Sequence, residues 1–209
     1  MTLEERLRII DRGKSQLTGD RLMLAYMLLD EKKRGTLIGC GIGAPGSATQ
    51  HEYARRALVE YFTNARNLVD RLQIPRIIRE PREDSERIWR FQIFCARNVE
   101  DLQEFERVDA QGAACTFGLM LGYPHTAAEA FQTPEMISHD GHRGAMKGNE
   151  DLYGFLDFRP SRTHLKEELA FVRRRKDLIE EKCPRLYAQV AGGVRPWLRY
   201  IALRIMGAA

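Results

Sequence analysis

What this chain lacks narrows its class before any motif is read. Nowhere does it approach the roughly 20 consecutive apolar residues that a membrane-crossing helix needs; its longest apolar run, Leu22 to Leu29, is far shorter. Its opening residues, Met1-Thr-Leu-Glu-Glu-Arg6, carry charge where a secretory signal would need an apolar segment, so a chain that stays in the cytoplasm is expected. Cysteine is sparse and scattered: Cys40, Cys95, Cys115 and Cys183 form no CxxC pair, which argues for reduced, mostly buried thiols rather than a disulfide framework or zinc site. Charge of one sign is also lacking. The 33 Lys and Arg stand against 29 Asp and Glu and are interspersed with them, too mild an excess for a nucleic-acid-binding surface. Neither nucleic acid nor a membrane is an expected partner.

What is present is ordinary globular material. With 44% hydrophobic and 30% charged residues over 209 positions, the chain can enclose a substantial core, and a single soluble domain spanning 1–209 is expected. Thr2-Leu-Glu-Glu5 has the pattern of a capping box, and Leu3, Leu7, Ile10 and Leu17 recur at roughly helical spacing up to Thr18-Gly19. A second helix is expected from Asp20, closing at Lys32-Lys-Arg-Gly35 with cations at the negative end of its dipole. Thr36 to Cys40 reads as a short buried strand. Thr49-Gln-His-Glu52 suggests another capping box, after which Tyr53, Ala57, Leu58, Tyr61, Phe62, Ala65, Leu68, Val69 and Leu72 trace one apolar face. Pro75 closes this helix, and His51, in its first turn, is expected to face solvent.

Arg76 to Glu80 and Ile88 to Ala96 read as strands. In the second, Trp89, Phe91, Ile93 and Cys95 alternate with Arg90, Gln92 and Phe94, the period of a half-buried strand. Asn98 is placed to cap a helix from Val99. Helices are expected over Gln111 to Leu121, Thr126 to Phe131, Thr163 to Lys182 and Val194 to Met206, with His139 to Asn149 an exposed, mobile loop. The fold class that follows is α+β: a small, at least partly antiparallel sheet in the N-terminal half packed by helices, and a mostly helical C-terminal half.

Few features suggest chemistry. Gly41, Gly43 and Gly46 satisfy GxGxxG between a strand and a helix, where backbone N–H groups could cradle an anion. Pro45 removes a donor, however, and no acidic residue ends a second strand about 20 residues on, so a glycine-rich turn is the leading reading. His139 and His142 are too few ligands for a metal site. The run Arg173-Arg-Arg-Lys176 is splayed around its helix among acidic neighbours, the usual form of a solvated face. The last helix, with Trp197, Leu198, Ile201 and Ile205 on one side, is expected to dock on the core, on a protein partner or on a second copy of the chain.

Ile93-Phe-Cys-Ala-Arg-Asn-Val-Glu-Asp-Leu102, then Phe117-Gly-Leu-Met-Leu-Gly-Tyr-Pro124 and Ala127-Ala-Glu-Ala-Phe131, resembles a family of prokaryotic proteins of unknown function. Their shared mark is an LGYP element followed by a small-residue pair and an aromatic. Phe158-Arg-Pro160, the polar helix start over Ser161 to His164, and Pro184-Arg-Leu-Tyr187 are similar to its C-terminal part, so the likeness covers about residues 93–187. Many members place cysteines directly after LGYP and before the long helix; here His125-Thr-Ala-Ala128 and Ser161-Arg-Thr-His164 stand in those places, so the thiolate chemistry that the resemblance implies lacks its ligands. The resemblance brings no activity and no cofactor.

Leu121-Gly-Tyr-Pro124 is explicable without a ligand: Gly122 can take positive φ to end one helix, Pro124 can open the next, Tyr123 can cover the joint and Phe131 can supply the following core contact. Two functions are therefore expected. One is a binding or accessory domain for a small anionic ligand or a protein partner. The alternative is an enzyme acting on an anionic small molecule in a site near LGYP, drawing on Tyr123, His125, Arg143, Phe158, Arg159, Arg162 and His164.

Overall fold

The computed structural model describes residues 1–43, 48–83, 88–131, 133–138 and 141–192. Helix α1 (Leu3–Asp11) opens on the expected capping box: the Thr2 hydroxyl accepts from Glu5 N at 3.2 Å and the Glu5 carboxylate from Thr2 N at 2.7 Å. It stops well before Thr18. The Arg21 side chain occupies the space beside Gly13, and it donates to the carbonyls of Ile10 (2.5 Å), Asp11 (2.8 Å) and Lys14 (3.2 Å), gathering carbonyls at the end of α1 and in the turn that follows. Leu17 then belongs to a 3₁₀ turn, Ser15–Leu17, that leads into α2 (Thr18–Leu29). Asp30 breaks α2 earlier than the basic cluster suggested, and the chain turns there so that Lys33 points inward.

Strand β1 (Gly35–Gly43) is longer than expected and takes in Gly39, Gly41 and Gly43, so the first part of the glycine run is strand rather than turn; Gly46 lies outside the described residues. Helix α3 (Ala48–Leu72) buries Ala54, Leu58, Phe62, Ala65, Val69 and Leu72. Thr49 sits inside this helix rather than capping it, and Glu52 accepts instead from Arg55 and Arg56. Tyr53, expected on the apolar face, is 70% exposed. His51, expected in solvent, is half-buried; its Nε2 lies 2.9 Å from Glu83 and 3.2 Å from the Trp89 Nε1 that donates to it.

Gln73, Ile74 and Pro75 carry the chain into β2 (Arg76–Glu83), and β3 (Ile88–Ala96) returns. The sheet is antiparallel in the order β1-β3-β2. Phe91, Ile93 and Cys95 face a core shared with α2 and α3, as their alternation predicts. Phe94, expected on the outward face, is buried as well, because α4 (Val99–Gln111) crosses that face and sets Phe105 edge-on to it at 5.6 Å. A second core forms there from Phe94, Ala96, Leu102, Phe105, Val108, Met120 and Leu121. The side chain of Asn98 caps α4 by accepting from Asp101 N at 2.7 Å.

The C-terminal half is mostly helical: α5 (Ala114–Met120), α6 (His125–Ala130), the single turn α7 (His142–Ala145), a 3₁₀ segment Glu150–Phe155, α8 (Leu165–Lys182) and α9 (Pro184–Ala191). Part of the expected loop is thus a helical turn, followed by a fully buried Met146. Helix α9 packs against α1, α2 and α8, and the Asp11 carboxylate accepts from its Arg185 and Leu186 amides at 2.8 and 3.0 Å. The helix expected over Val194 to Met206 lies outside the described residues. Among those described, no helix is long and apolar enough to cross a membrane.

Candidate functional site

The Leu121–Pro124 joint folds as its residue types require. Gly122 takes φ +73°, Tyr123 N bonds back to the Gly118 carbonyl at 3.0 Å, and Pro124 precedes α6. The half-buried Tyr123 ring meets buried Phe158 at 5.6 Å, and burial drives the phenol's pKa upward. These two expected site residues come together. The others lie outside: His125 is exposed beside Glu129 (3.0 Å), His164 is exposed beside Glu167 (3.5 Å), and Arg159 and Arg162 are exposed. The side chain of Arg143 is not among those described. Phe131, expected to pack inward, is 45% exposed. Buried Glu168 ties the segments of His125 and His164 together, accepting from the Thr126 hydroxyl (2.7 Å), Ser161 N (2.7 Å) and the Ser161 hydroxyl (3.0 Å). Among the described residues no group of three or more His, Cys, Asp or Glu could hold a metal ion.

Beneath the joint lies an ionic cluster that the sequence reading missed. Arg175, expected on a solvated face, is 3% exposed; it bonds Asp30 at 2.7 Å, Asp157 at 3.0 Å and the Gly122 carbonyl at 2.8 Å, and stacks on Tyr26 and Phe171. Lys33 is 1% exposed and donates to the Leu121 carbonyl at 2.6 Å and to Asp157 at 3.3 Å. Burial pulls the Lys33 ammonium down to a pKa of about 8 against the attraction of Asp157. The two cations and two carboxylates neutralise one another, and the leftover donors satisfy the carbonyls that the joint exposes. The arrangement is a clamp. One signal for it was legible: Arg175 falls three residues after Val172 and four before Ile179, on the apolar stripe of α8.

The outer face of the sheet is different. Register sets Leu37, Phe94 and Ile77 abreast, then Gly39, Gln92 and Arg79, then Gly41, Arg90 and Arg82. The bulge between Arg79 and Arg82 returns Arg82 to this face. Helix α4 covers the first row and ends at the second, where Asp109 takes Arg79 at 2.9 Å. Beyond it Gly39, Arg82 and Arg90 are exposed. A Cβ placed on Gly41 would lie 3.3 Å from Arg90 Cγ and 3.7 Å from its Nε, so the Arg90 side chain lies against the space that glycine leaves. Arg82 stands directly opposite Arg90 on β2.

A polar cleft of about 700 Å³ opens between the turn before α2 and the middle of α3, lined by Lys14, Gln16, Glu60, Thr63 and Asn64. Asp20, in the first turn of α2, accepts from the hydroxyl of Tyr61 on α3 at 2.5 Å. Desolvation pushes the Asp20 pKa up to about 6 in spite of that bond. The thiols of Cys95 and Cys183 are buried and pushed above their ordinary range, while Cys115 is exposed. Comparison with family models, with curated proteins and with solved structures finds no match for this chain.

Proposed function

We propose that this chain is a binding domain that recognises an anionic partner through the open half of the outer sheet face. The observation that carries the reading is the direct pairing of Arg82 with Arg90 beside the unbranched backbone of Gly39 and Gly41. Like charges placed opposite each other on neighbouring strands concentrate positive potential at that point of the sheet, which favours an acidic ligand. The same groups act as an electrostatic guide for an approaching acidic ligand.

The test uses three fluorescein-labelled decapeptides, alternating Val with Glu, with Gln or with Lys, read by anisotropy. Preference for the Glu peptide, weakened by salt and lost in the Arg82→Glu/Arg90→Glu double variant, is the expected result. Equal affinity for all three peptides, or a double variant that binds the Glu peptide as the parent does, would refute the reading.

A further inference from the structure

Where α3 begins, one ring nitrogen stands within reach of two partners that it cannot serve together. His51 lies in the first turn of that helix, over the end of the β2–β3 hairpin, where register sets Glu83 directly opposite Trp89. Its Nε2 is 3.2 Å from the Trp89 Nε1 that donates to it and 2.9 Å from a Glu83 carboxylate oxygen, and the two rings meet edge to face at 6.0 Å. The two bonds demand opposite states of the same atom, because an imidazole nitrogen offers either a lone pair or an N–H. To accept from the indole, Nε2 must be bare, and the carboxylate then faces a lone pair. To donate to Glu83, Nε2 must carry a proton, and the indole N–H then points at another N–H.

We propose that His51 is a proton-operated selector between two strands. Neutral His51, with its proton on Nδ1, accepts from Trp89 and ties α3 to the central strand β3. A proton taken from water at Nε2 breaks that bond, makes one to Glu83 and ties α3 to the edge strand β2 instead. The new bond joins an imidazolium to a carboxylate and is stronger than the neutral one it replaces. Histidine is the side chain that changes charge between about pH 5 and 8. The His51 and Glu83 side chains are 31% and 35% exposed, so water can deliver the proton, and the carboxylate can turn outward when the ring is neutral.

The other charged groups around the ring, among the described residues, have different engagements. Glu52, next in sequence, is held by Arg55 and Arg56, which keep its pKa at about 2. Arg82 and Arg90, one position from Glu83 and Trp89, stand on the opposite face of the sheet. On β1, Ile42 and Gly43 lie abreast of Trp89 and Ile88 and carry no charge. Asp20 of α2 does titrate in the same range, at about pH 6, and its partner Tyr61 touches Phe91, two residues along β3 from Trp89. It therefore enters the test as a control.

That test follows the indole 15N–1H resonance of Trp89 in the full chain between about pH 8 and 5, distinguished from that of Trp197 by a Trp197→Phe variant. The expected result is an upfield shift of the indole proton as pH falls and its bond to Nε2 is lost. His51→Phe and His51→Gln, whose amide accepts at any pH, each abolish the pH dependence. Glu83→Gln needs more acid for the same change, and Asp20→Asn leaves the change as it was. Circular dichroism shows the variants folded. The ring 15N shifts of His51 in the unaltered chain give a second reading, with Nδ1 protonated and Nε2 bare at about pH 8. An indole proton that stays in place, that shifts equally without His51, or that is indifferent to Glu83→Gln overturns the proposal. So does a His51 ring protonated at Nε2 at the alkaline end, and loss of the shift in Asp20→Asn assigns it to Asp20 instead.

Discussion

Replacing Asp20 by Asn is predicted to stabilise the protein at neutral pH and to do little in acid. The Asp20 carboxyl holds its proton more tightly in the folded chain, with a pKa of about 6, than the ordinary 3.8. A group of this kind contributes stability that is fully present below its unfolded pKa and is lost as pH rises through its folded pKa. Between roughly pH 4 and 6 wild-type stability therefore falls on this account. Asparagine keeps an oxygen to accept from the Tyr61 hydroxyl and never ionises, so it behaves as the permanently protonated acid. A two-unit difference at 1.36 kcal/mol per unit makes the variant about 3 kcal/mol more stable at pH 7.5, shrinking to about 0.5 kcal/mol at pH 4. Urea unfolding of both proteins at the two pH values, with midpoints and slopes fitted together, measures this directly. A variant that is less stable at pH 7.5, or whose advantage is the same at both pH values, would show that the Asp20 carboxylate is not desolvated at that position.

Two further outcomes follow from the clamp and the joint. Asp157→Ala leaves Lys33 and part of Arg175 buried without a counter-charge and is expected to cost about 3–5 kcal/mol in urea unfolding, whereas an exposed pair such as Glu4 with Arg8 contributes well under about 1 kcal/mol. Gly122→Ala places a Cβ 2.6 Å from Lys33 Cβ at φ +73° and is expected to cost more than Gly112→Ala, where φ is +64° but nothing lies within 4 Å and about 1 kcal/mol is the whole penalty. Equal melting temperatures for the two glycine variants would contradict the contact argument.

The parts legible in the sequence were those governed by neighbours in the chain. Thr2 with Glu5, Asn98 with Asp101, the inward set Phe91, Ile93 and Cys95 of β3 and the stop at Gly122 each depend on groups within a few residues, and each formed as expected. Phe94 misled because what buries it is Phe105 on a helix crossing the far face, which no period-two pattern records. Thr49 misled because Glu52 was drawn to Arg55 and Arg56 in place of the backbone. The glycines of β1 misled toward a turn, since glycine permits both turn and strand and only the register with β3 decides. Lys33 was beyond reach, its partner Asp157 lying 124 residues away. Of the expected site residues whose side chains are described, Tyr123 and Phe158 met because both are large apolar groups near a joint, while the charged ones stayed in water.

The clamp also has a consequence for how the chain is made. Asp30 and Lys33 emerge from the ribosome well before Arg175, which follows Asp30 by 145 residues. At about 5–20 residues per second that interval lasts roughly 7–30 s. Throughout it, an acid and an amine destined for the interior must remain hydrated at the growing chain's surface. Native packing around them can therefore close only after α8 has been synthesised, so completion of the sheet alone does not commit this protein to its fold.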